Sequence, residues 1–234
     1  DTFVAEQVFP RLPVRKETDR IAVFNGENLR RPFTLRGNGS PAAESTHSYT
    51  FTTYNLVHHA LRDVVTDRDI ANADTPLALK ADVTESLTEQ MMLEKEVRTR
   101  NVAFTTTTWS NNDTLVSTTS WRYNTSTSGD PFVHVHSATS AIQQAAGKTP
   151  NRALIGFSTL NLLKDNNLVI ERIKYDSFGM ADTNSLAQGF GVDAIVVGKA
   201  TQNTGAEGIA DSNTAIWSNN CLVYTVPASP GLRV

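Results

Sequence analysis

The stretch from Gly129 to Tyr175, GDPFVHVHSATSAIQQAAGKTPNRALIGFSTLNLLKDNNLVIERIKY, constrains this chain more than any other, because helix, strand and helix signals follow one another with almost no connecting residues. Asp130 offers an N-cap oxygen and Pro131 a preset φ for a first helical turn. Val135, Ala138, Ile142 and Ala146 then recur at helical spacing until Gly147 supplies the stop. An amphipathic helix with both ends marked is predicted. After Pro150 and Asn151, the apolar run Ala153, Leu154, Ile155, Gly156, Phe157 reads as a short buried strand. Ser158 reads as the cap of a second helix carrying Leu160, Leu162 and Leu163. Further on, Leu186, Ala187 and Phe190 predict a short helix, Val192 to Val197 a strand, and Ala215 to Val226 a strand pair around Trp217.

The N-terminal half carries looser signals. From Asp1 to Phe24, the pairs Phe9-Pro10 and Leu12-Pro13 with Arg11, Arg15, Lys16 and Arg20 predict extended backbone with little to bury, an arm that must lie on something else. Arg30 to Tyr54 reads as a long hairpin: Phe33 and Leu35 alternate on the way out, Gly37-Asn38-Gly39-Ser40-Pro41 turns, and Tyr49 and Phe51 alternate on the way back. Val57, Ala60, Leu61, Val64 and Val65 return to helical spacing, ending in the acidic turn Asp67, Asp69, Asn72, Asp74. Thr75 and Pro76 then start a long helix whose stripe Leu79, Val83, Leu87, Met91 drifts slowly around its surface. Glu94 with Arg98 and Glu96 with Arg100 read as surface pairs worth about 0.2–0.5 kcal/mol each, so packing must hold this helix. From Ala103 to Gly129 the chain is rich in Thr, Ser and Asn around Trp109 and Trp121, which predicts strands and a loop docked beside the helix.

Composition bounds the function more than it directs it. With 234 residues, 39% hydrophobic and 19% charged, the chain can bury a core in one large domain or two modest ones. A net charge of −3 gives no global attraction to nucleic acid or acidic lipid. The single cysteine, Cys221, excludes an internal disulfide framework and points to a reducing, intracellular origin. No apolar run has the length of a membrane span and the N-terminus lacks a signal-peptide layout, so a soluble protein with no membrane contact is expected. The chain opens at Asp1 without an initiator Met and closes on Pro230-Gly-Leu-Arg-Val234, so both ends are treated as open to processing.

Catalytic and ligand-binding constellations are weak. His134 and His136 stand at i, i+2 on a helix and diverge, as do the adjacent His58 and His59. Asp63, Asp67 and Asp69 lack the glycine and bidentate glutamate of a calcium loop. Gly156-Phe-Ser158 is not a nucleophile elbow, and Gly189, Gly191 and Gly198 are too loosely spaced for a phosphate loop. Asn38, Asn112 and Asn124 begin glycosylation triplets that a Thr/Ser/Asn-rich chain produces by chance. Cys221 lies in an apolar strand pattern and reads as an inert thiol, and the three tryptophans read as core or interface anchors. No catalytic residue, metal ligand or cofactor site is expected.

The element order, together with Arg36-Gly-Asn-Gly-Ser-Pro-Ala-Ala-Glu44, Asn72-Ala-Asp-Thr-Pro-Leu-Ala-Leu79, Gly147-Lys-Thr-Pro-Asn151 and Glu171-Arg-Ile-Lys-Tyr175, resembles the major capsid proteins of tailed bacteriophages over nearly the whole chain. The resemblance implies an α+β capsid fold: an N-terminal arm (1–29), an E-loop hairpin (30–56), a P-domain with a spine helix (57–128) and a mixed α/β A-domain (129–234). The strand with which the family usually returns to the P-domain is not legible before Val234. The resemblance also implies a non-enzymatic subunit, assembled in the host bacterial cytoplasm into hexamers and pentamers of an icosahedral virion shell. That shell encloses double-stranded DNA without reading its sequence, with portal, scaffold and decoration proteins as further partners. An encapsulin-like nanocompartment shell is the alternative on the same fold, and a soluble α/β hydrolase-like enzyme the alternative of another class. Arg11 to Arg36 holds seven basic and three acidic residues, whereas Arg62 to Arg100 holds six basic and nine acidic ones. Inter-subunit contacts are therefore expected between Arg30, Arg31 and Arg36, with Glu44 at the hairpin tip, and Asp82, Glu85 and Glu89 of a neighbour. Some members fuse neighbours through a hairpin lysine; none occurs between Asn25 and His59, so the resemblance implies a shell held non-covalently.

Overall fold

A computed structural model describes residues 2–24, 30–32, 34–46, 48–74, 77–109, 111–116, 119–122, 129–174 and 182–227. Its organising strand is β3 (Arg152–Gly156), whose Ala153, Leu154 and Ile155 are all 0% exposed. Such a strand needs a packed layer on both faces, because successive side chains point to opposite sides. Strand β4 (Ala194–Gly198) pairs with it in parallel and β7 (Cys221–Tyr224) antiparallel, with Val196 and Leu222 on either side of Leu154. A parallel pair requires a crossover. Here the crossover contains α5 (Phe157–Lys164), α6 (Asn167–Ile173) and α7 (Thr183–Phe190). These helices and α4 (Pro131–Ala146) cover one face, where Phe132, Val135, Leu160, Leu163, Val169, Leu186 and Phe190 pack on Ala153 and Ile155. The other face carries Leu154 and Val196 under Trp217, Ile216 and Ala200. It is closed by Val4 and Val8 of the segment around α1 (Ala5–Val8) and by Ala103 of α3 (Leu79–Phe104). Each large apolar side chain so buried contributes about 1.5–3 kcal/mol. The protein is α+β.

Local signals explain most of this half. Asp130 caps α4 by accepting from the Phe132 amide at 3.0 Å, Pro131 occupies its first turn, and Gly147 ends it at φ 66°. The second Asp130 oxygen pairs with Arg172 at 2.5 Å, and that guanidinium lies 4.7 Å over the Phe132 ring, so one side chain ties α6 to the start of α4. Asn166, which is buried, caps α6 through Leu168 at 2.8 Å and donates to the Trp121 carbonyl at 2.8 Å. Ser158 does not cap α5: the N-cap is Gly156, without a side-chain bond, and Ser158 lies inside the first turn. The strand simply runs into the helix there, with no room for a separate cap.

Elsewhere the chain departs from its sequence signals. Tyr49–Asn55 forms β2, but its partner is β1 (Thr18–Phe24), within the segment expected to be an extended arm rather than part of the hairpin. Residues 56–66 form neither helix nor strand despite their spacing. The helix forms instead over the expected acidic turn, as α2 (Asp67–Asn72), because Thr66 and Asp69 make a reciprocal capping box. Helix α3 begins only at Leu79, with Ala78 as its N-cap, later than the start expected at Thr75 and Pro76; those two residues and the outgoing Phe33 lie outside the described residues, and among the described residues 105–122 no strand occurs. Residues 213–215 form β6, which pairs with β5 (Thr201–Asn203) rather than with β7. Glu94 pairs with Arg98 at 2.9 Å as expected. Glu96 does not pair with Arg100; it is fully buried and accepts from the backbone of Val4 and Ala5.

Trp217 is 0% exposed and sets the spacing on the outer face of the sheet. A side chain at Gly198 would stand 2.2 Å from its ring, and one at Gly156 would stand 1.8 Å from the Ser218 carbonyl oxygen. Both strand ends are glycine because the Trp217–Ser218 backbone and indole occupy the Cβ space. Gly156→Ala should therefore destabilise the subunit by about 1–3 kcal/mol, read as a lower urea midpoint at unchanged denaturant slope; a midpoint equal to wild type would contradict this packing.

Candidate assembly surface

Strands β1 and β2 pair from Thr18 opposite Asn55 to Phe24 opposite Tyr49, and among the described residues they form a two-stranded sheet. The ribbon is extended by Leu56 donating to the Glu17 carbonyl at 2.9 Å and fastened at its base by Tyr54 Oη on the Lys16 carbonyl at 3.1 Å. At the far end, residues 37–40 close a turn through Ser40 N on the Gly37 carbonyl at 3.2 Å, and Arg36 Nε donates to the Ser40 carbonyl. Tyr49 and Phe51 stack edge to face at 5.4 Å on the ribbon surface, with Phe51 61% exposed. The following segment exposes Leu56, Val57, Leu61 and Val64. Among the described residues from Phe9 to Val102, no hydrophobic side chain is buried, and the single fully buried residue is Glu96. A two-stranded ribbon is marginal in water by itself. Contiguous exposed apolar groups of this kind mark contact surfaces.

Charge is distributed around this surface. Arg30, Arg31, Arg36 and Glu44 are exposed on the connection between the two strands. Asp82, Glu85 and Glu89 are exposed on the first half of α3, at spacings of three and four that put them on one helix face. The half-buried stripe Leu79, Val83, Leu87 and Met91 lies on roughly the opposite face. Asp82 also sits in the first turn, where a carboxylate favours the helix dipole. Among the described residues no ion pair joins the basic set to the acidic set within one chain.

The other chemistry-bearing residues have local partners. His134 Nδ1 accepts from Trp121 Nε1 at 3.0 Å, and His136 Nε2 lies 3.1 Å from the Gly189 carbonyl. His58 lies 3.1 Å from Glu17, and His59 3.8 Å from Glu94. Asp69 is spent in its capping box, and Asp63 accepts from the Val64 amide at 2.7 Å. Among the described residues, no group of His, Cys, Asp or Glu is placed to hold a metal ion. Burial pushes the Cys221 thiol up to about 12, which leaves it protonated. Gly189 makes room for the Phe132 ring, and Gly191 terminates α7 at φ 70°. Asn124 lies outside the described residues. No helix among the described residues is long and apolar enough to cross a membrane.

Comparison with known proteins places the chain beside structural proteins of phages. It is 25% identical to the major capsid protein of Burkholderia phage BcepMu over 234 residues, covering 98% of this chain and 73% of that protein. It is 26% identical to the major capsid protein of Pseudomonas phage JBD67 over 219 residues, covering 92% and 69%. The solved structure of a phage-related protein from Bordetella bronchiseptica RB50 superposes with a TM-score of 0.71 at 25% identity, covering 98% of this chain and 74% of that one. No family model matches the sequence. The chain is thus similar to phage major capsid proteins along nearly its full length.

An exposed aromatic on a ribbon that contributes nothing to the core should be dispensable for folding. Phe51→Ser should change the unfolding free energy of the free subunit by less than about 0.5 kcal/mol, measured by urea denaturation. A loss several times larger would mean that the ribbon packs on its own subunit in solution.

Proposed function

We propose that this chain is a major capsid subunit that assembles with its own copies into the closed shell of a phage virion, in hexamers and pentamers around double-stranded DNA. The observation that carries this reading is that no hydrophobic side chain is buried among the described residues from Phe9 to Val102, while the ribbon and the segment after it expose Tyr49, Phe51, Leu56, Val57, Leu61 and Val64. The capsid proteins of the two phages and the phage-related structure support it. On this reading residues 1–29 are the arm, 30–56 the E-loop, 57–128 the P-domain with α3 as its spine, and 129–234 the A-domain. The β1–β2 pairing makes the second half of the arm segment the outgoing strand of the E-loop ribbon. The subunit is structural and works through contact area. Portal, scaffold and decoration proteins are its further partners, and the host cytoplasm is where it assembles. The relatives' names favour a phage shell over an encapsulin-like compartment.

Negative-stain microscopy of the purified protein tests the reading directly, and closed particles are expected. Deleting Gly37 to Thr46 removes the turn and its tip but no buried residue. The deletion should leave a folded subunit with wild-type circular dichroism that forms no shells; normal particles from it would sink the proposal.

The charge arrangement supports a register between copies. Arg30, Arg31 and Arg36 of one copy lie across Asp82, Glu85 and Glu89 of the next, with Glu44 at the same contact. Exposed pairs contribute about 0–1 kcal/mol each, so the effect accumulates only by repetition and is screened by salt. Replacing all three arginines by glutamate should slow assembly, followed by light scattering, most strongly at low ionic strength. Equal assembly of both proteins at low and high salt would contradict this register.

A further inference from the structure

Asn38 stands at the far end of the connection between β1 and β2 and is followed by Gly39, the one neighbour that puts no side chain in its way. Residues 34–46 are exposed throughout. The turn around the pair is closed outside it: the Gly37 carbonyl accepts from the Ser40 amide at 3.2 Å and from the Ser40 hydroxyl at 2.9 Å. Gly39, at φ 85°, takes the left-handed position, with nothing within 4 Å of where a Cβ would stand. Among the described residues, neither the Asn38 side chain nor the Gly39 amide makes a hydrogen bond. The side-chain amide and the backbone nitrogen that follows it are both in water and both free to move.

Other asparagines of the fold are fastened. Asn112 Nδ2 donates to the Thr106 carbonyl at 3.1 Å and the Trp109 carbonyl at 2.8 Å. Asn151 donates to the Val226 carbonyl at 2.9 Å and accepts from the Val226 amide at 2.8 Å. Asn203 accepts from the amides of Gly205 and Ser212 and donates to Asp211. Asn55, in β2, accepts from Thr18 Oγ1 at 3.0 Å, and the amide that follows it, on Leu56, is spent on the Glu17 carbonyl. Each of these four also precedes a residue whose Cβ crowds the approach of its backbone nitrogen to the asparagine. The chain's other Asn-Gly pair, Asn25-Gly26, lies outside the described residues.

We propose that Asn38 is a self-modifying site, converted to aspartate and isoaspartate through a ring closed with Gly39. The Gly39 amide nitrogen gives its proton to solvent and attacks Asn38 Cγ. The N–Cγ bond forms, the Cγ–Nδ2 bond breaks, and the amide nitrogen takes a proton from solvent and leaves as ammonia. Water then opens the five-membered imide. Cleavage of the new N–Cγ bond gives aspartate; cleavage between the Gly39 nitrogen and the Asn38 backbone carbonyl carbon gives isoaspartate, with the chain routed through the side chain. Nothing is oxidised or reduced, and water is the only co-reactant. Either product sets a carboxylate two residues from Arg36. From Arg30 to Ser48 three arginines stand against Glu44, a net +2 that each conversion halves. The modification belongs to the single subunit; its effect on assembly, a weaker pull of this connection toward the acidic face of α3 in the next copy, rests on the register proposed above.

The test is peptide mapping of the full chain after incubation in mildly alkaline buffer, with digestion under mildly acidic conditions. Trypsin releases Gly37 to Arg62 as one peptide that carries both Asn38 and Asn55, so the fastened asparagine is an internal control. Fragmentation in the mass spectrometer should show conversion at Asn38 several-fold faster than at Asn55. Isoaspartate, probed with an isoaspartyl methyltransferase, should be among the products, because direct hydrolysis of the amide gives aspartate alone. Gly39→Ala should slow conversion several-fold by placing a Cβ beside the attacking nitrogen. Equal conversion at Asn38 and Asn55, products without isoaspartate, or a rate unmoved by Gly39→Ala would overturn the proposal. So would a folded-state rate suppressed by more than an order of magnitude relative to the urea-unfolded chain, since that would show the turn protecting Asn38.

Discussion

Close contact between Trp217 and the ends of strands β3 and β4 is the constraint on which the outer side of the sheet depends. The indole fits because Gly198 and Gly156 leave the space for it and for the backbone at Ser218. Phe104 then meets the indole edge to face, with ring centroids 6.1 Å apart, which fixes where the last turn of α3 rests. Once that turn is seated, Ala103 is buried, Glu96 is brought under the sheet, and Val4 and Val8 have a place to dock. One large aromatic and two absent side chains thus decide the placement of a 26-residue helix.

The molecule divides its burial unevenly. The part from Gly129 onward carries the core: its own helices cover one face of the central strand, Trp217, Ile216 and Ala200 with Val4, Val8 and Ala103 cover the other, and Asp130 and Asn166 cap the starts of α4 and α6. The part from Thr18 to Thr66 has backbone pairing but no core, and the first half of α3 exposes all but one stripe. Hydrogen bonding can hold a ribbon in shape, whereas apolar burial is what makes a fold independently stable. The unburied segments are ordered enough to present a surface and apolar enough to gain from covering it.

How much of this was legible in the sequence follows from where the determining interactions lie. Helix α4 was readable at both ends because Asp130, Pro131 and Gly147 act on their own backbone, and β3 and α7 were readable because their apolar residues are contiguous or evenly spaced. Helix α2 was missed although Thr66-x-x-Asp69 is a local signal; the apolar spacing of the preceding residues, all but Val65 exposed in the structure, masked it. Strand β1 was missed because two prolines and a run of arginines dominate its surroundings, although Ile21 and Val23 alternate in β fashion. Glu96 could not have been found by local reasoning: its spacing to Arg100 is that of a surface pair, and only the long-range docking of Val4 and Ala5 turns it inward. The proposed contact residues were legible as charge but not as partners, since among the described residues no ion pair within one chain joins the basic set to the acidic set.

Among the described residues no third strand joins the β1–β2 ribbon, and this has a further consequence. Open strand edges recruit any extended backbone they meet, and proteins that carry them usually blunt the edge with charge. Asp19 and Arg20 on β1 and the run of Thr50, Thr52 and Thr53 on β2 weaken that recruitment without abolishing it. Contacts made from many small polar and half-apolar terms form and break many times before a growing lattice closes around them. A subunit added in the wrong orientation can leave, and only an arrangement that satisfies several neighbours at once persists. On the proposed reading, the modest stickiness of this surface is a form of proofreading.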